Sequence, residues 1–206
     1  MSATGFVLTR LAVTGPAVPT AEVRFGAGLN VIYGASDTGK TFIAQCVDYV
    51  CGAGDPPREI PEAATYDTIV LGIRSKDDDV EMELRRSLRG GDIELRIPDE
   101  HPRTLGAKHA PGKQDTVSHF LLELTGLAGK KVRVNQQGKT RLLSFRDIAR
   151  VVFIDEESVI TERSPVFSGQ FTKKTEESAV FRLLLTGIDD SSVVAKEDPK
   201  IVKGCT

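Results

Sequence analysis

Residues 34–41 read Gly-Ala-Ser-Asp-Thr-Gly-Lys-Thr, and no other stretch constrains the chain so tightly. Glycine tolerates positive φ, so a turn built on Gly34 and Gly39 can point successive backbone N–H groups inward. A helix beginning near Gly39 would add its positive end to that concavity. The flanks supply the setting that such a turn needs. Before it, Leu29-Asn30-Val31-Ile32-Tyr33 is a short apolar run of the kind buried strands show. After it, Phe42, Ile43, Cys46, Val47 and Val50 recur on one side of a helix expected over Thr41 to Val50. Strand, glycine-rich turn and helix together predict a phosphate-binding loop in an α/β fold.

The chemistry of the motif assigns its residues. Gly34, Ala35, Ser36, Asp37, Thr38, Gly39, Lys40, Thr41 and Phe42 form the expected nucleotide-binding stretch. Lys40 is expected to reach the β- and γ-phosphates as a point charge, a catalytic role, and the Thr41 hydroxyl to coordinate magnesium. The implied cofactors are ATP and Mg²⁺.

The remaining chain reads as strands and short helices. Phe6 to Val13 and Ala21 to Phe25 alternate as strands, separated by Gly15-Pro16 and Pro19. Gly52, Gly54, Pro56 and Pro57 end the helix after the loop. Thr68 to Arg74, Val80 to Ser87 and Ile93 to Ile97 predict an antiparallel meander, and Pro98 to Lys113 a loop. Thr116 to Leu127 is expected to be a helix capped by Asp115 or Thr116. Lys130 to Arg141 reads as strand-turn-strand around Asn135-Gln-Gln-Gly138. Ser144 should open a short helix leading into a strand, Val151-Val-Phe-Ile154. A polar connector, Phe167 to Lys173, precedes a helix that starts at Thr175-Glu-Glu-Ser178 and runs to about Gly187. From about Val193 the pattern is lost.

A net charge of −2 places no strong basic excess on the chain, so any nucleic-acid contact must come from a local patch. The densest candidate is Lys130, Lys131, Arg133, Lys139 and Arg141, which could touch phosphate backbone without reading sequence. Solvated strands are the plainer account of the same residues. The 3 cysteines are no disulfide framework, and Cys46 and Cys51 are expected to be buried free thiols. No run approaches a membrane span and the N-terminus carries no signal-peptide pattern, so the expected location is cytoplasmic without membrane contact.

A wider pattern surrounds the loop. Arg10-Leu11, Val23-Arg24-Phe25 and Gly28-Leu29-Asn30-Val31-Ile32-Tyr33-Gly34 lead into it, and this order resembles the N-terminal lobe of an SMC-like ATPase of the SbcC type. The resemblance implies a P-loop NTPase of the ABC-head kind, with an antiparallel β-subdomain at about 66–97 and a helical annex, over residues 1–192. Residues 193–206 would be a linker or the start of a coiled coil. It implies ATP-driven head-to-head pairing, a C-terminal lobe on the same or another chain, and double-stranded DNA as partner. Arg10 and Arg24 would lie near the nucleotide, although either could be a surface strand residue. The family's glutamine-bearing loop has no glutamine here; Glu156, in Asp155-Glu156-Glu157, would take its catalytic and metal role. Phe153-Ile154-Asp155-Glu156 also imitates a Walker B strand, and that alternative stays open. The signature run of the family is absent, so the chain is expected to bind ATP with little turnover alone. Two rivals remain: a P-loop small-molecule kinase using Asp155 or Glu156 as base, and a noncatalytic ATP-gated interaction module.

Overall fold

The computed structural model describes residues 4–154, 164 and 166–193. The chain divides into two units, Met1–Gly126 and Leu127–Thr206.

The first unit is a mixed α/β body. Its strands are β1 (Phe6–Gly15), β2 (Val18–Arg24), β3 (Thr68–Ser75), β4 (Glu81–Ser87), β5 (Ile93–Arg96) and β6 (Arg103–Leu105). They form a 6-stranded sheet in the order β2-β1-β3-β4-β5-β6, with every neighbour antiparallel. The expected meander is therefore present, and it continues the same sheet through the pairing of β3 with β1. Strand alternation separates two faces. Leu11, Ile69, Leu71, Ile73, Leu84 and Leu95 are buried on one of them. Helix α1 (Lys40–Val50) packs against β1, β3 and β4 and buries Cys46, Val47, Tyr49 and Val50. Helix α2 (Val117–Leu124) is capped by Thr116, whose side chain accepts from His119 N at 3.2 Å, as one of the two expected caps.

The opposite face is charged. Arg24 pairs with Glu22 at 2.9 Å, Arg10 with both Glu22 (3.5 Å) and Glu83, and Arg96 with Glu94. The Arg24 guanidinium, helped by Arg10, holds the Glu22 carboxyl below the usual carboxylate range. Arg10 and Glu83 flank Gly72 in the ladder, so the arginine crosses β3 at the one residue without a side chain. A Cβ there would stand 2.7 Å from Thr9 Oγ1 and 2.8 Å from Arg10 Cγ.

The second unit comprises β7 (Lys131–Arg133), β8 (Thr140–Leu142), α3 (Phe145–Val152) and α4 (Lys174–Thr186). Its hairpin turns through Gly138 at φ 87. Asp147 organises the start of α3: its carboxylate accepts from Ser144 N at 2.8 Å and from Ser144 Oγ at 2.9 Å. Arg141 then clasps the same carboxylate at 2.7 and 2.8 Å and also pairs with Glu176 on α4. Glu177, 2% exposed, pairs with Arg150 and accepts from Ser168 N at 3.1 Å. Buried carboxylates need such partners. Gly187 ends α4 in the left-handed region at φ 71.

Three sequence expectations are corrected. Leu29 to Tyr33 is not a strand; Leu29 is 91% and Tyr33 90% exposed. An apolar strand needs hydrogen-bonding neighbours. β1 already has β2 and β3 on its two edges, and the described residues offer this run no partner. Val151 and Val152 belong to α3, with Phe153 as its C-cap, so no strand runs to Ile154. The Ser144–Asp147 capping box starts a helix that continues while Phe145, Ile148 and Ala149 bury one side. The stretch from Pro98 to Lys113 is not all loop, because Arg103–Leu105 pairs with β5. No described helix is long and apolar enough to cross a membrane.

Two outcomes follow from this packing. Gly72→Val should lower stability by about 1–3 kcal/mol, read as a shifted urea midpoint; an unchanged midpoint contradicts the crossing of β3 by Arg10. In the second unit, burial opposes the Asp147 charge, but Arg141 and Ser144 outweigh it and hold the carboxyl below its usual range. A depressed folded pKa contributes stability that is complete above the unfolded value of about 3.9. That contribution is lost as pH falls through the lower folded value. Protection of the β7–β8 amides against hydrogen exchange, relative to the intrinsic rate at each pH, should thus fall on acidification, and Asp147→Asn should remove that part of the pH dependence.

Candidate functional site

The loop of residues 34–39 is closed on itself. Asp37 sits at φ 59 and Gly39, the N-cap of α1, at φ 82. The first helical bond runs from Ile43 N to Gly39 O at 3.0 Å. Gly39 offers no side chain to cap the helix, so the earlier N–H groups of α1 stay available to an outside acceptor. Thr38 Oγ1 donates to Ala35 O at 2.8 Å. Lys40 reaches back across the turn, its Nζ donating to Gly34 O at 3.0 Å and to Ala35 O.

At the turn itself the local electrostatics favour an anion, while Asp37, Glu59 and Glu62 also line the cavity. Lys40 makes no ion pair with a described carboxylate, so only carbonyl and hydroxyl dipoles meet its charge. A helix N-terminus beside that ammonium adds further positive potential. Thr41 is exposed at the start of α1. A cavity of about 420 Å³ opens here, lined by Asp37–Phe42 and Gln45 on one side and Arg58–Glu62 on the other. A polyphosphate and a magnesium ion fit this donor set: amides and an ammonium for phosphate oxygens, a hydroxyl for the metal.

The far wall of the cavity has no signature in the sequence, where Pro56 and Pro57 read as helix terminators. It is tied to α1 by Gln45, whose Oε1 accepts from Arg58 N at 2.9 Å. A lone glutamine on a helix carries no signal in sequence for a bond to backbone 13 residues away. Arg86 was also missed. It is 6% exposed, lies 3.6 Å over the Tyr49 ring, and donates to Tyr49 O and to Ala53 O (2.9 Å) at the C-terminal end of α1.

The other candidate residues are distributed as follows. Glu156, with Asp155 and Glu157, lies outside the described residues. Arg10 and Arg24 belong to the charged outer face of the sheet, where both are ion-paired. In the β7–β8 hairpin, Lys131 and Arg133 share one face, while Arg141 pairs opposite Val132 and projects from the other. Arg141 is committed to Asp147 and Glu176. Cys46 and Cys51 are buried and free of disulfides; burial pushes the Cys46 thiol up to about 12, which makes it inert.

No protein-family model matches the chain. Among curated proteins it is similar to the DNA replication and repair protein RecF of Shewanella piezotolerans. The two are 27% identical over 168 residues, covering 76% of this chain and 46% of the relative. The chain thus spans about half the length of the relative it matches.

The Gln45 tie generates a test of the cavity wall. Gln45→Ala should cost about 1 kcal/mol and raise hydrogen exchange at the Arg58 amide. Unchanged exchange at Arg58 would show that the wall is held by something else.

Proposed function

We propose that this chain binds ATP with Mg²⁺ through residues Gly34 to Thr41, as the N-terminal half of an SMC-like, ABC-type ATPase head that acts on DNA. The observation that supports it best is the closed turn with Lys40 folded across its mouth at the N-terminus of α1. The similarity to a protein named for DNA replication and repair supports the same field of action.

In this reading, backbone amides of Ala35 to Thr41 hold the phosphate oxygens and Lys40 shifts from the carbonyls of Gly34 and Ala35 to the β- and γ-phosphates. Thr41 contributes its hydroxyl to the metal. Placing fixed positive groups where charge develops is the main source of rate in phosphoryl transfer. Glu156 supplies the remaining carboxylate to metal and water. The exposed run Leu29 to Tyr33 is an apolar surface that a C-terminal lobe would cover, which accounts for side chains left in the open. ATP then draws two such heads together. Lys130, Lys131, Arg133 and Lys139 contact phosphate backbone of double-stranded DNA, Arg141 serving the hairpin from within.

Lys40→Ala should abolish ATP binding measured by calorimetry, with the fold intact by circular dichroism; equal affinity in the variant sinks the proposal. The chain alone should turn ATP over slowly, and a polypeptide supplying the remaining half of the head should accelerate it. Fast turnover by this chain alone contradicts the division into halves.

A further inference from the structure

A second cavity, with basic side chains in excess of acidic ones, lies at the other end of α1, in the same unit. It holds about 860 Å³ and is floored by Arg86, with Arg89, Lys108 and Lys113 around it. That volume is within the range of small-molecule sites, about 300–1,000 Å³.

Arg86 is the unusual member. A buried charge is ordinarily met by an opposite charge, yet no described carboxylate lies within ion-pair distance of this guanidinium. Its Nε donates to Gly91 O at 3.3 Å and its Nη1 to the carbonyls of Tyr49 and Ala53. Those carbonyls belong to the C-terminal end of α1 and carry only partial negative charge, and the Tyr49 ring adds a weak attraction. Nη2 makes no hydrogen bond among the described residues. Burial pulls the Arg86 pKa down from its usual value, outweighing the opposing influence of Tyr49 and of Asp92, which acts from beyond ion-pair distance.

The surroundings favour an outside anion. Arg89, Lys108 and Lys113 are all exposed on the rim. Three acids also line the cavity, Glu59, Asp92 and Asp115. Of these, Asp92 already accepts from Ala107 N at 3.2 Å, and Glu59 and Asp115 are exposed. Gly91, at φ 97, has open space where a Cβ would be, so an anion can come close to the backbone there.

We propose that this cleft is an anion site in which Arg86 Nη2, helped by Arg89, Lys108 and Lys113, holds a phosphate group. A guanidinium matches two phosphate oxygens at once, and the lysines add point charge. The phosphate belongs either to a small phosphorylated compound or to a nucleic-acid backbone, which present the same oxyanion. The site is independent of the Gly34 to Thr41 loop.

The test uses the full chain carrying Lys40→Ala, which removes phosphate binding at the loop from the signal. Inorganic pyrophosphate is titrated while the amide resonances of Gly90, Gly91, Ala107 and Lys108 are followed. These should shift and saturate. Combined Arg89→Ala, Lys108→Ala and Lys113→Ala, exposed changes that leave the core alone, should weaken binding at least about tenfold. Arg86→Lys, if it folds, should also weaken it by losing the fork. A short DNA duplex is titrated in parallel. Shifts of the same amides by duplex, displaced by pyrophosphate, assign the site to nucleic acid; shifts by pyrophosphate alone assign it to a small phosphorylated compound. Both outcomes support the anion site. Amides that respond to neither probe, or a triple variant that binds pyrophosphate as well as its parent, overturn it.

Discussion

The stacking of Arg86 on Tyr49 does more than fill the core of the first unit. The same guanidinium holds the carbonyls of Tyr49 and Ala53, and Tyr49 Oη donates to Ser87 O at 3.3 Å. Helix and sheet are thereby joined through β4 at the C-terminal end of α1. The N-terminal end of α1 carries Lys40 and Thr41. A rigid helix of 11 residues transmits its anchoring along its whole length, so the placement of the closed turn depends on a contact at the opposite end. The apolar seam of Cys46, Val47 and Val50 against the sheet supplies the energy. The arginine supplies the register.

The two faces of the sheet divide the labour. One is apolar and carries the helix; the other is a lattice of arginine and glutamate held mostly at the surface. Exposed ion pairs contribute about 0–1 kcal/mol each, so that lattice keeps a broad antiparallel surface soluble more than it stabilises it. Gly72 is the exception where geometry matters, since Arg10 crosses the sheet there. In the second unit the balance reverses: carboxylates at the start of α3 and α4 hold the hairpin through Arg141, and Arg150 ties α3 to α4 through Glu177.

Much of this was legible from local pattern. The alternation in Thr68 to Ile97 and the Ser144–Asp147 box write their structures into adjacent residues, and so does the glycine after α4. The closed turn at 34–39 follows from where its glycines stand. What failed was non-local. Leu29 to Tyr33 has the composition of a buried strand, but burial depends on partners that local composition cannot supply. Val151 and Val152 are β-branched and read as strand, yet the helix begun at Ser144 carries them. Gln45 and Arg86 could not have been found, because a glutamine bonded to a distant backbone and an arginine beneath a tyrosine leave no periodic trace. The role expected of Glu156 rests on the resemblance alone.

The function proposed for this chain depends on the turn at 34–41 being shaped for a polyphosphate. Its most direct test is a titration of the chain with Mg-ATP and, separately, with adenosine, following backbone amide resonances. The amides of Ser36 to Thr41 should shift and saturate with ATP and stay unmoved by adenosine. Equal response to both, or ATP shifts confined to other regions while that turn is silent, would contradict the account.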